Sequence, residues 1–520
     1  MTKKPFYITT AISYVNGLPH LGHAYEAILT DVMARYQRLE GRDVMFLTGT
    51  DEHGEKVAKT AEKNGVAPLA FADQNAEAFR EMSRKLNISH DDFIRTTEPR
   101  HYKAAQAIWE KLAGTGDIYL NKYEGWYSIR EEGYFTEDEL TTDPHTGTKL
   151  TPNGTEVTWV EEPSYFFKLS AYTDKLLKLY EEHPEFIQPA ARRNEIISFV
   201  KGGLKDLSVS RDKSRLHWGI PVPGDDKHVM YVWLDALTNY ITAPGYPDMD
   251  SDSFKKFWPA DFHVIGKDII RFHCVYWPAF LMSAGVELPK TVFAHGFINV
   301  QGVKMSKSLG NVLSPDNLVE TYGLDPMRYL LMREIPHGQD GNFSHDHAIA
   351  RINADLANGL GNLVQRTLSM IHKNCGENIP APQPFTDADK ALLDKAYAMP
   401  AAIRDSFNRF EFHRGLEEIW RVVAEANGYI DAQAPWTLKK EDPVRMETVL
   451  YVLAETIRCL GLIIQPVVPN SAMKILDQLV IPENARGYEH LNAAYALKPG
   501  TSIPAPQGVF PRIVEAEEAA

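Results

Sequence analysis

The amino-acid sequence predicts an α/β protein: a parallel sheet with crossover helices, split by an α+β insertion and followed by an all-helical region. Three observations support this. The chain opens on a strand–helix–strand order, which is typical of parallel sheets. From about residue 121 to 224 the composition shifts toward Glu, Thr, Tyr and Gly. From about Ala348 onward the apolar residues recur almost purely at helical spacing.

The first strand is predicted at Phe6–Thr10, after which Asn16–Pro19 breaks the chain into a loop. A helix follows, because apolar residues recur every three or four positions and Gly41 stands where the helix is expected to end. The recurring positions are Ala24, Ile28, Val32, Tyr36 and Leu39. Val44–Thr48 is predicted as the second strand, and a helical pattern resumes after Gly54.

The predicted insertion interrupts this strand–helix pattern and contains a turn at Asp143–Gly147. The pattern returns at Asp261–Gly266 and again at Thr291–Ala294. We therefore expect four segments: the first half of the sheet domain (1–120), the insertion (121–225), the second half of the sheet domain (226–347) and the helical domain (348–520).

The net charge of the 520-residue chain is −14, which by itself argues against a nucleic-acid partner, since phosphates are neutralised by Lys and Arg. Basic residues nevertheless recur in two stretches, so one basic face of an acidic protein remains able to hold RNA. They are Lys201, Lys205, Arg211, Lys213 and Arg215, and then Arg351, Arg366, Lys373, Arg404, Arg409, Arg414 and Arg421.

The cysteines and the apolar segments indicate the compartment. None of the three cysteines lies in a CxxC pair, so the sequence supports neither a disulfide framework nor a thiolate zinc site. No long apolar segment follows the amino terminus, and no uncharged run approaches the length of a membrane span. We expect a cytoplasmic protein without a membrane segment.

The first chemical motif is His20-Leu21-Gly22-His23, which ends the first loop and opens the predicted helix. A helix amino terminus presents unpaired N–H groups and a partial positive charge, which suit phosphate. His20 and His23 are three residues apart, so both can donate from one face to the same phosphate chain. Taken alone, the motif is equally well explained by two surface histidines at a helix start.

The second motif is Lys304-Met305-Ser306-Lys307-Ser308, which follows a predicted strand and Gly302. Two lysines on a short loop can close on a triphosphate and stabilise the charge on departing pyrophosphate. A solvated basic loop is the ordinary explanation of such a pair. Finding both motifs in this order, on the two halves of one strand–helix fold, favours the phosphate-binding interpretation.

The two motifs resemble the HIGH and KMSKS signatures of class I aminoacyl-tRNA synthetases, and over essentially the whole chain the sequence most resembles the methionyl-tRNA synthetase family. The resemblance implies a Rossmann-type catalytic domain split by a connective insertion, followed by a helical anticodon-binding domain. It implies that methionine is activated with ATP and Mg²⁺ and transferred to the methionine tRNA with a CAU anticodon. His20, His23, Lys304 and Lys307 are then the expected catalytic residues.

The resemblance also assigns substrate contacts. The expected methionine-binding residues include Asp51, which pairs with the ammonium group, and a set of aromatic and apolar side chains. Rings suit methionine because its thioether sulfur makes favourable contacts of about 0.3–1.5 kcal/mol with them. The methionine set is Ile12, Tyr14, Asp51, Trp233, Ala236, Leu237, Tyr240, Ile269, His273 and Trp277, with Phe272 as a further ring. Aromatic residues at such spacing are otherwise ordinary core.

Two further sets complete the expected contacts. ATP is expected at His20, Gly22, His23, Glu26, Gly266, Asp268, Ile298, Lys304, Ser306 and Lys307. The anticodon is expected at Asn362, Arg366 and Trp436, since an amide, a guanidinium and an indole can bond the edges and stack on the faces of single-stranded bases. A capped helix and a core tryptophan are the structural alternative.

The sequence departs from many relatives in the insertion, where Tyr123–Phe135 resembles a zinc knuckle without its cysteines. We therefore expect no zinc. A monomer is expected because the carboxyl-terminal oligonucleotide-binding domain of dimeric relatives is not present in the chain.

The alternatives are another class I synthetase for a small apolar amino acid, a small nucleotidyltransferase with an HxGH motif, and a catalytically inactive tRNA-binding homologue. A longer editing insertion would favour a branched-chain synthetase, and a short chain would favour the nucleotidyltransferase.

Overall fold

The computed structural model of the chain describes residues 3–131, 133–144, 146–300, 302–304 and 313–514, with the side chains of residues 123, 134, 162, 303 and 304 outside that description. The strands, numbered along the chain, are β1 Pro5–Thr10, β2 Ser13–Tyr14, β3 Asp43–Asp51, β4 Asp92–Arg95, β5 Ile118–Ser128, β6 Gly133–Phe135, β7 Thr141–Thr142, β8 Lys149–Leu150, β9 Thr158–Phe167, β10 Ile187–Gln188, β11 Leu207–Ser208, β12 Ser210–Asp212, β13 Pro221–Val222, β14 Asp225–Met230, β15 Phe262–Gly266, β16 Val292–His295, β17 Ile298–Val300, β18 Val303–Lys304 and β19 Gly341–Phe343.

The helices are numbered in the same way, and two wide π-helical segments, Phe272–Tyr276 and Ile352–Gly361, run into the helices that follow them. The α-helices are α1 Leu21–Leu39, α2 Glu55–Lys63, α3 Pro68–Lys85, α4 Pro99–Gly114, α5 Thr173–Glu182, α6 Ala190–Lys201, α7 Val232–Leu237, α8 Asn239–Thr242, α9 Asp252–Phe257, α10 Trp277–Ala284, α11 Pro315–Tyr322, α12 Leu324–Glu334, α13 His345–Arg351, α14 Asn362–Asn374, α15 Asp387–Asn408, α16 Phe412–Gln433, α17 Pro435–Glu441, α18 Pro443–Ile463 and α19 Pro469–Gln478.

The chain forms two compact units. We call Pro5–Pro19 with Met45–His295 the sheet unit, and His20–Val44 with Gly296 onward and the residues before Pro5 the helical unit. Both units are built from segments that are distant in sequence. The four predicted domain boundaries do not coincide with these units and stay predictions.

The sheet unit is organised around a seven-stranded sheet with the order β10-β16-β15-β1-β3-β2, and β4 also pairs with β3. β15 pairs in parallel with both β1 and β16, and β3 pairs in parallel with β2 and β4. The strands are apolar and buried, for example Tyr7 and Ile8 in β1 and Val264 and Ile265 in β15, as expected for a parallel sheet covered on both faces. The mostly parallel sheet predicted from the sequence is confirmed.

The insertion is dominated by a long antiparallel ribbon, in which β5 pairs with β9 over ten residues in the order β11-β9-β5-β6. The predicted turn after Asp143 lies in a small hairpin between β7 and β8, closed by the bond from the Asp143 N–H to the Thr148 carbonyl. His145, inside the predicted turn, lies outside the described residues.

In the helical unit, α18 is the central element, because every residue from Thr448 to Ile463 is buried, on all sides of the helix. Elsewhere in the unit the fully buried Asp31 carboxylate of α1 accepts a 2.6 Å hydrogen bond from Arg328 of α12. Arg328 also donates to the carbonyls of Pro466 and Val467, so its buried charge is both paired and hydrogen-bonded. This bond fixes α1 within the unit. Among the described helices, none combines the length and apolar character needed to cross a bilayer.

Candidate active site

Two strands of the sheet unit bring together Tyr14 and Asp51. β2 pairs in parallel with the end of β3, and Tyr14 lies opposite Asp51. The Val15 N–H donates to the Asp51 carbonyl at 3.2 Å, so the backbone of Asp51 is held on the edge of the sheet. The Asp51 side chain is 6% exposed, and a carboxylate this deeply buried is costly unless it serves a cationic partner.

The predicted apolar side chains of the methionine set lie in one hydrophobic cluster of the sheet unit. The members are Ile12, Tyr14, Trp233, Leu237, Tyr240, Ile269, Phe272 and Trp277. The Trp233 ring, on α7, stacks on Phe272 with centroids 3.7 Å apart and planes 5° apart. Ala236 follows on the same helix and is 4% exposed. The rings expected to surround a thioether therefore pack on one another as well.

The polar edge of this cluster is the pair Tyr240 and His273. Nδ1 of His273 is 2.9 Å from the carbonyl of Ile269, and a carbonyl only accepts, so Nδ1 carries the proton. Nε2 then accepts from the Tyr240 hydroxyl at 2.7 Å. Burial lowers the pKa of His273 to about 4, against the opposing effect of the Ile269 hydrogen bond, which keeps the imidazole neutral near pH 7. The pair offers a polar but uncharged surface.

Trp277 and Gly266 show how tightly this region is packed. The Trp277 side chain has no exposed surface, and its Nε1 has no hydrogen-bond partner among the described residues. Gly266 ends β15, and a Cβ at this position would lie 2.6 Å from Oδ1 of Asp268. The absence of a side chain at Gly266 therefore lets the Asp268 carboxylate turn back over the strand end.

In the helical unit, the HLGH motif forms the amino-terminal cap of α1. Nδ1 of His20 accepts from the Gly22 N–H at 3.1 Å, and Nδ1 of His23 accepts from the His20 N–H at 3.2 Å. The two rings stack with centroids 3.8 Å apart. Since both Nδ1 atoms accept, each neutral ring carries its proton on Nε2. Both histidines are thus oriented as Nε2–H donors.

The glycine of the motif also has a local role in packing, beside its predicted role in ATP binding. A Cβ on Gly22 would lie 2.9 Å from Cε1 of His20. The small residue therefore makes room for the His20 ring over the helix end. A pattern of residue types alone does not contain this contact, because it depends on the rotamer of His20.

Of the remaining residues in the ATP set, some are described by the structure and others are not. Glu26 lies on α1 one turn after His23, and Ile298 opens β17 with 3% exposure. The backbone of Lys304 pairs with Asn299 in the β17–β18 hairpin, whereas its side chain lies outside the described part of the molecule. Ser306 and Lys307 also lie outside the described residues, so their predicted roles stay predictions.

The predicted anticodon residues lie on two helices of the helical unit, α14 and α17. Arg366 lies on α14 with Asn362 one turn before it, and its guanidinium is 5.2 Å from the centroid of the Trp436 ring. Trp436 is 45% exposed. Ala434, two residues earlier, has φ +43°, a left-handed conformation that is strained for a residue with a Cβ. This turn begins α17 and presents the indole beside Arg366.

In the insertion, a cluster of hydroxyls and one carboxylate occupies the segment that resembles a zinc knuckle. The Glu131 carboxylate accepts from Thr151, Thr155 and Asn153, and Ser128 bonds Thr155 at 2.9 Å. Sequence reasoning missed this cluster. The available signal was the Ser128–Glu131 spacing, which places two polar residues three apart, as the cysteines of a CxxC pair are.

The parallel sheet with a long insertion, the histidine-capped helix and the helical carboxyl-terminal region together define a class I aminoacyl-tRNA synthetase. Residues 6–368 match the family model for tRNA synthetases class I (M), and residues 379–520 match the anticodon binding domain of methionyl tRNA ligase. The chain belongs to the methionyl-tRNA synthetase family.

Individual relatives agree over nearly the full length. The methionine–tRNA ligase of Mesorhizobium japonicum is 59% identical over 515 residues, 99% of each chain. That of Brucella suis is 59% identical over 518 residues, 100% of each chain. A structure of Mycobacterium tuberculosis methionyl-tRNA synthetase in complex with methionyl-adenylate has a TM-score of 0.95 at 53% identity, covering 98% of this chain and 100% of that chain. The predicted fold class and the predicted activity, ATP-dependent methionine–tRNA ligation, are confirmed.

Proposed function

We propose that the sheet unit binds methionine through Asp51 and the aromatic cluster. The supporting observation is that the buried Asp51 carboxylate belongs to the residue that lies opposite Tyr14 in the β2–β3 pair. The Asp51 carboxylate binds the ammonium group. The rings of Trp233, Tyr240 and Trp277 bind the thioether chain, with Ile12, Ala236, Leu237 and Ile269 completing the apolar surface. The neutral Tyr240–His273 pair provides a hydrogen-bonding edge that attracts no ion.

We propose the following chemistry for the activation step. An oxygen of the methionine carboxylate attacks the α-phosphorus of ATP, the bond to the bridging oxygen breaks, and pyrophosphate leaves. The products are methionyl-adenylate and pyrophosphate. No protein nucleophile is needed, so positioning and charge stabilisation supply the catalysis. His20 and His23 donate from Nε2 to phosphate oxygens, and Lys304, Ser306 and Lys307 stabilise the departing pyrophosphate.

The remaining ATP contacts are assigned by the same proposal. Gly266, Asp268, Glu26 and Ile298 bind the adenosine, and Gly22 admits the His20 ring. ATP would bring Mg²⁺ with it, and the ion, which prefers oxygen ligands, would help to neutralise the phosphate charge. In the second step a ribose hydroxyl at the tRNA terminus attacks the adenylate carbonyl and AMP leaves.

The substrate assignment is tested by amino-acid-dependent ATP–pyrophosphate exchange with each of the twenty amino acids. We expect the strongest exchange with methionine. A pocket distinguishes one methylene by only about 1–3 kcal/mol, so homocysteine should also be activated measurably. Strong exchange with leucine and none with methionine would contradict the assignment, and no exchange with any amino acid would indicate an inactive homologue.

We further propose that Asn362, Arg366 and Trp436 read the CAU anticodon, because an exposed indole beside a guanidinium suits stacking and edge recognition of single-stranded bases. Trp436→Ala removes a stacking platform worth about 1–3 kcal/mol per base. We expect the efficiency of tRNA charging to fall by about 5- to 150-fold in this variant. Arg366→Ala should lower the efficiency of charging by a similar factor. Pyrophosphate exchange measured without tRNA should change little.

Trp159→Ala is the matched control for this prediction. Trp159 is 53% exposed on the insertion, so its loss removes a comparable indole that has no assigned role in anticodon reading. Charging by this variant should stay near wild type, and circular dichroism should show that all variants are folded. Equal losses of charging and exchange in Trp436→Ala would show that Trp436 supports the catalytic region instead.

We propose that the enzyme holds no zinc, since the Glu131 cluster supplies hydrogen bonds in the segment that resembles a zinc knuckle without its cysteines. Metal analysis of the purified protein is expected to find no stoichiometric zinc, and a chelator that spares Mg²⁺ should leave exchange intact. One tightly bound zinc per chain would overturn this proposal. We also propose that the protein is cytoplasmic and that it acts as a monomer. Sedimentation of the purified chain tests the oligomeric state, and a dimer would contradict the second proposal.

A further inference from the structure

Three buried side chains of the sheet unit form a cluster that the catalytic assignment does not use. Asp235, on α7, is fully buried and accepts hydrogen bonds from two buried histidines. Its Oδ2 is 2.6 Å from Nδ1 of His53, and its Oδ1 is 2.7 Å from Nε2 of His101. Burial opposes the ionisation of Asp235, but the two histidines outweigh it and hold the pKa of the carboxyl below its usual range. The carboxylate is therefore an acceptor, and both facing ring nitrogens are donors.

The hydrogen-bond roles of His53 follow from this arrangement. Its Nδ1 donates to Asp235, and its Nε2 is 3.0 Å from the Tyr102 hydroxyl. Burial, followed by the charges of Asp235 and Glu52, raises the pKa of Tyr102 to about 12, so the phenol stays protonated. The hydroxyl and Nε2 share a hydrogen bond, which holds the imidazole between α4 and α7.

The two ends of the His53–Asp235 bond lie beside two parts of the proposed methionine site. His53 is two residues after Asp51, in the segment between β3 and α2. Asp235 lies on α7 between Trp233 and Ala236. The bond therefore ties the segment that carries the ammonium-binding carboxylate to the helix that carries part of the thioether-binding wall.

The segment after Asp51 has two other restraints, and both connect it to elements other than α7. Glu52 forms a buried ion pair with Arg95, with Nε–Oε1 at 2.6 Å. The Trp218 indole donates to the Glu52 carbonyl at 2.6 Å. These contacts hold the segment against β4 and against the loop before β13, whereas the His53 bond sets its distance from α7.

We propose that His53 and Asp235 are positioning residues that set the spacing between Asp51 and the Trp233 helix and thereby determine methionine affinity. The inference rests on the proposed methionine site. His101 supports the same carboxylate from α4, and among the described residues its other ring nitrogen lies 3.2 Å from the Thr242 hydroxyl of α8 rather than against the Asp51 segment. If the cluster only stabilised the fold, the loss of either histidine would have the same effect. If His53 positions the pocket, its loss should affect methionine binding more than the loss of His101.

The test uses two substitutions that replace different ring nitrogens of His53. The amide nitrogen of Asn occupies about the place of Nδ1, so His53→Asn retains the bond to Asp235. The amide of Gln reaches about the place of Nε2, so His53→Gln faces Tyr102 and loses that bond. In the exchange assay we expect KM for methionine to rise by about 10- to 100-fold in His53→Gln, the cost of a displacement of about 1 Å. His53→Asn should stay within about threefold of wild type, and KM for ATP should change little in either variant.

His101→Asn is the matched control, because it removes the other hydrogen bond to Asp235, made through Nε2. We expect its melting temperature to fall as much as that of His53→Gln, with a smaller rise in KM for methionine. If His53→Gln does not fold, Tyr102→Phe removes the hydroxyl that orients His53 and is expected to raise KM for methionine by about fivefold, the effect of losing about one net hydrogen bond, which exceeds the limit for His53→Asn.

A double-mutant cycle with Asp51→Asn then tests whether His53 acts through Asp51. We expect the two substitutions to be strongly non-additive, since the position of residue 51 matters less once its charge is gone. Additive effects, or equal KM changes in His53→Gln, His53→Asn and His101→Asn, would overturn the inference. Failure of the methionine site itself gives a different result, in which Asp51→Asn leaves KM for methionine unchanged in an active enzyme.

Discussion

His23→Ala is expected to reduce methionine-dependent pyrophosphate exchange by about 100- to 1,000-fold, the usual effect of removing one preorganised donor that stabilises developing charge. The structure motivates this because Nδ1 of His23 accepts the His20 N–H at 3.2 Å, which leaves the proton of the neutral ring on Nε2. The loss should appear mainly in kcat, since the phosphate charge that the donor stabilises grows as the bond to pyrophosphate breaks.

His23 also caps α1, so a second variant is needed to distinguish the loss of the helix cap from the loss of the phosphate donor. Asn at this position retains an acceptor for the His20 N–H but is shorter than the imidazole. We expect His23→Asn to keep most of the stability, because losing a cap costs only about 1 kcal/mol, yet to lose nearly as much exchange as His23→Ala. His183→Ala, which removes an exposed histidine of the sheet unit, is the control for purification and assay. Wild-type exchange in His23→Asn would show that the histidine acts through the helix cap alone.

The sequence predicted those parts of the fold that depend on local periodicity. Spacing placed Ala24, Ile28, Val32, Tyr36 and Leu39 on one face of a helix; the first four are buried in α1, and Leu39 is partly buried. The glycine and proline breaks similarly located the loops. Such patterns reflect burial of one face, which the composition of the segment itself determines.

The tertiary contacts of the site were not predictable in the same way. Trp233 and Phe272 were both expected to be pocket rings, but their stacking joins α7 to a π-helical segment 39 positions later. The bond between His53 and Asp235 spans 182 positions, and neither residue belongs to the recognised signatures of the class. Contacts of this kind depend on how separate elements pack, and a single sequence contains no periodic signal for them.

The insertion shows a different limit of sequence reasoning. The absence of cysteines predicted that thiolates do not hold the knuckle, but it left open what replaces them. The Glu131 carboxylate accepts hydrogen bonds from three side chains that are 20 to 24 positions away. Polar residues such as Thr and Asn are common in turns, so their convergence on one carboxylate becomes visible only in the folded ribbon.

Asp51→Asn is expected to raise KM for methionine by about 30- to 4,000-fold, because removing one member of a buried charge pair costs about 2–5 kcal/mol. Asn preserves the size of the side chain, and the backbone bond from Val15 to the Asp51 carbonyl is unaffected. KM for ATP should remain close to wild type, since the carboxylate is assigned to the ammonium group of methionine.

Two methionine analogues make this prediction specific for the charge pair. Methioninol retains the ammonium group and lacks the carboxylate, whereas 4-(methylthio)butanoate retains the carboxylate and lacks the ammonium group. As competitive inhibitors of exchange, methioninol should lose affinity in Asp51→Asn by nearly the same factor as methionine. The desamino acid should bind Asp51→Asn as well as wild type or better, because it has no ammonium group for Asp51 to bind and the variant places no negative charge beside its carboxylate. Equal weakening of both analogues would show that Asp51 maintains the shape of the pocket and that the ammonium group is bound elsewhere.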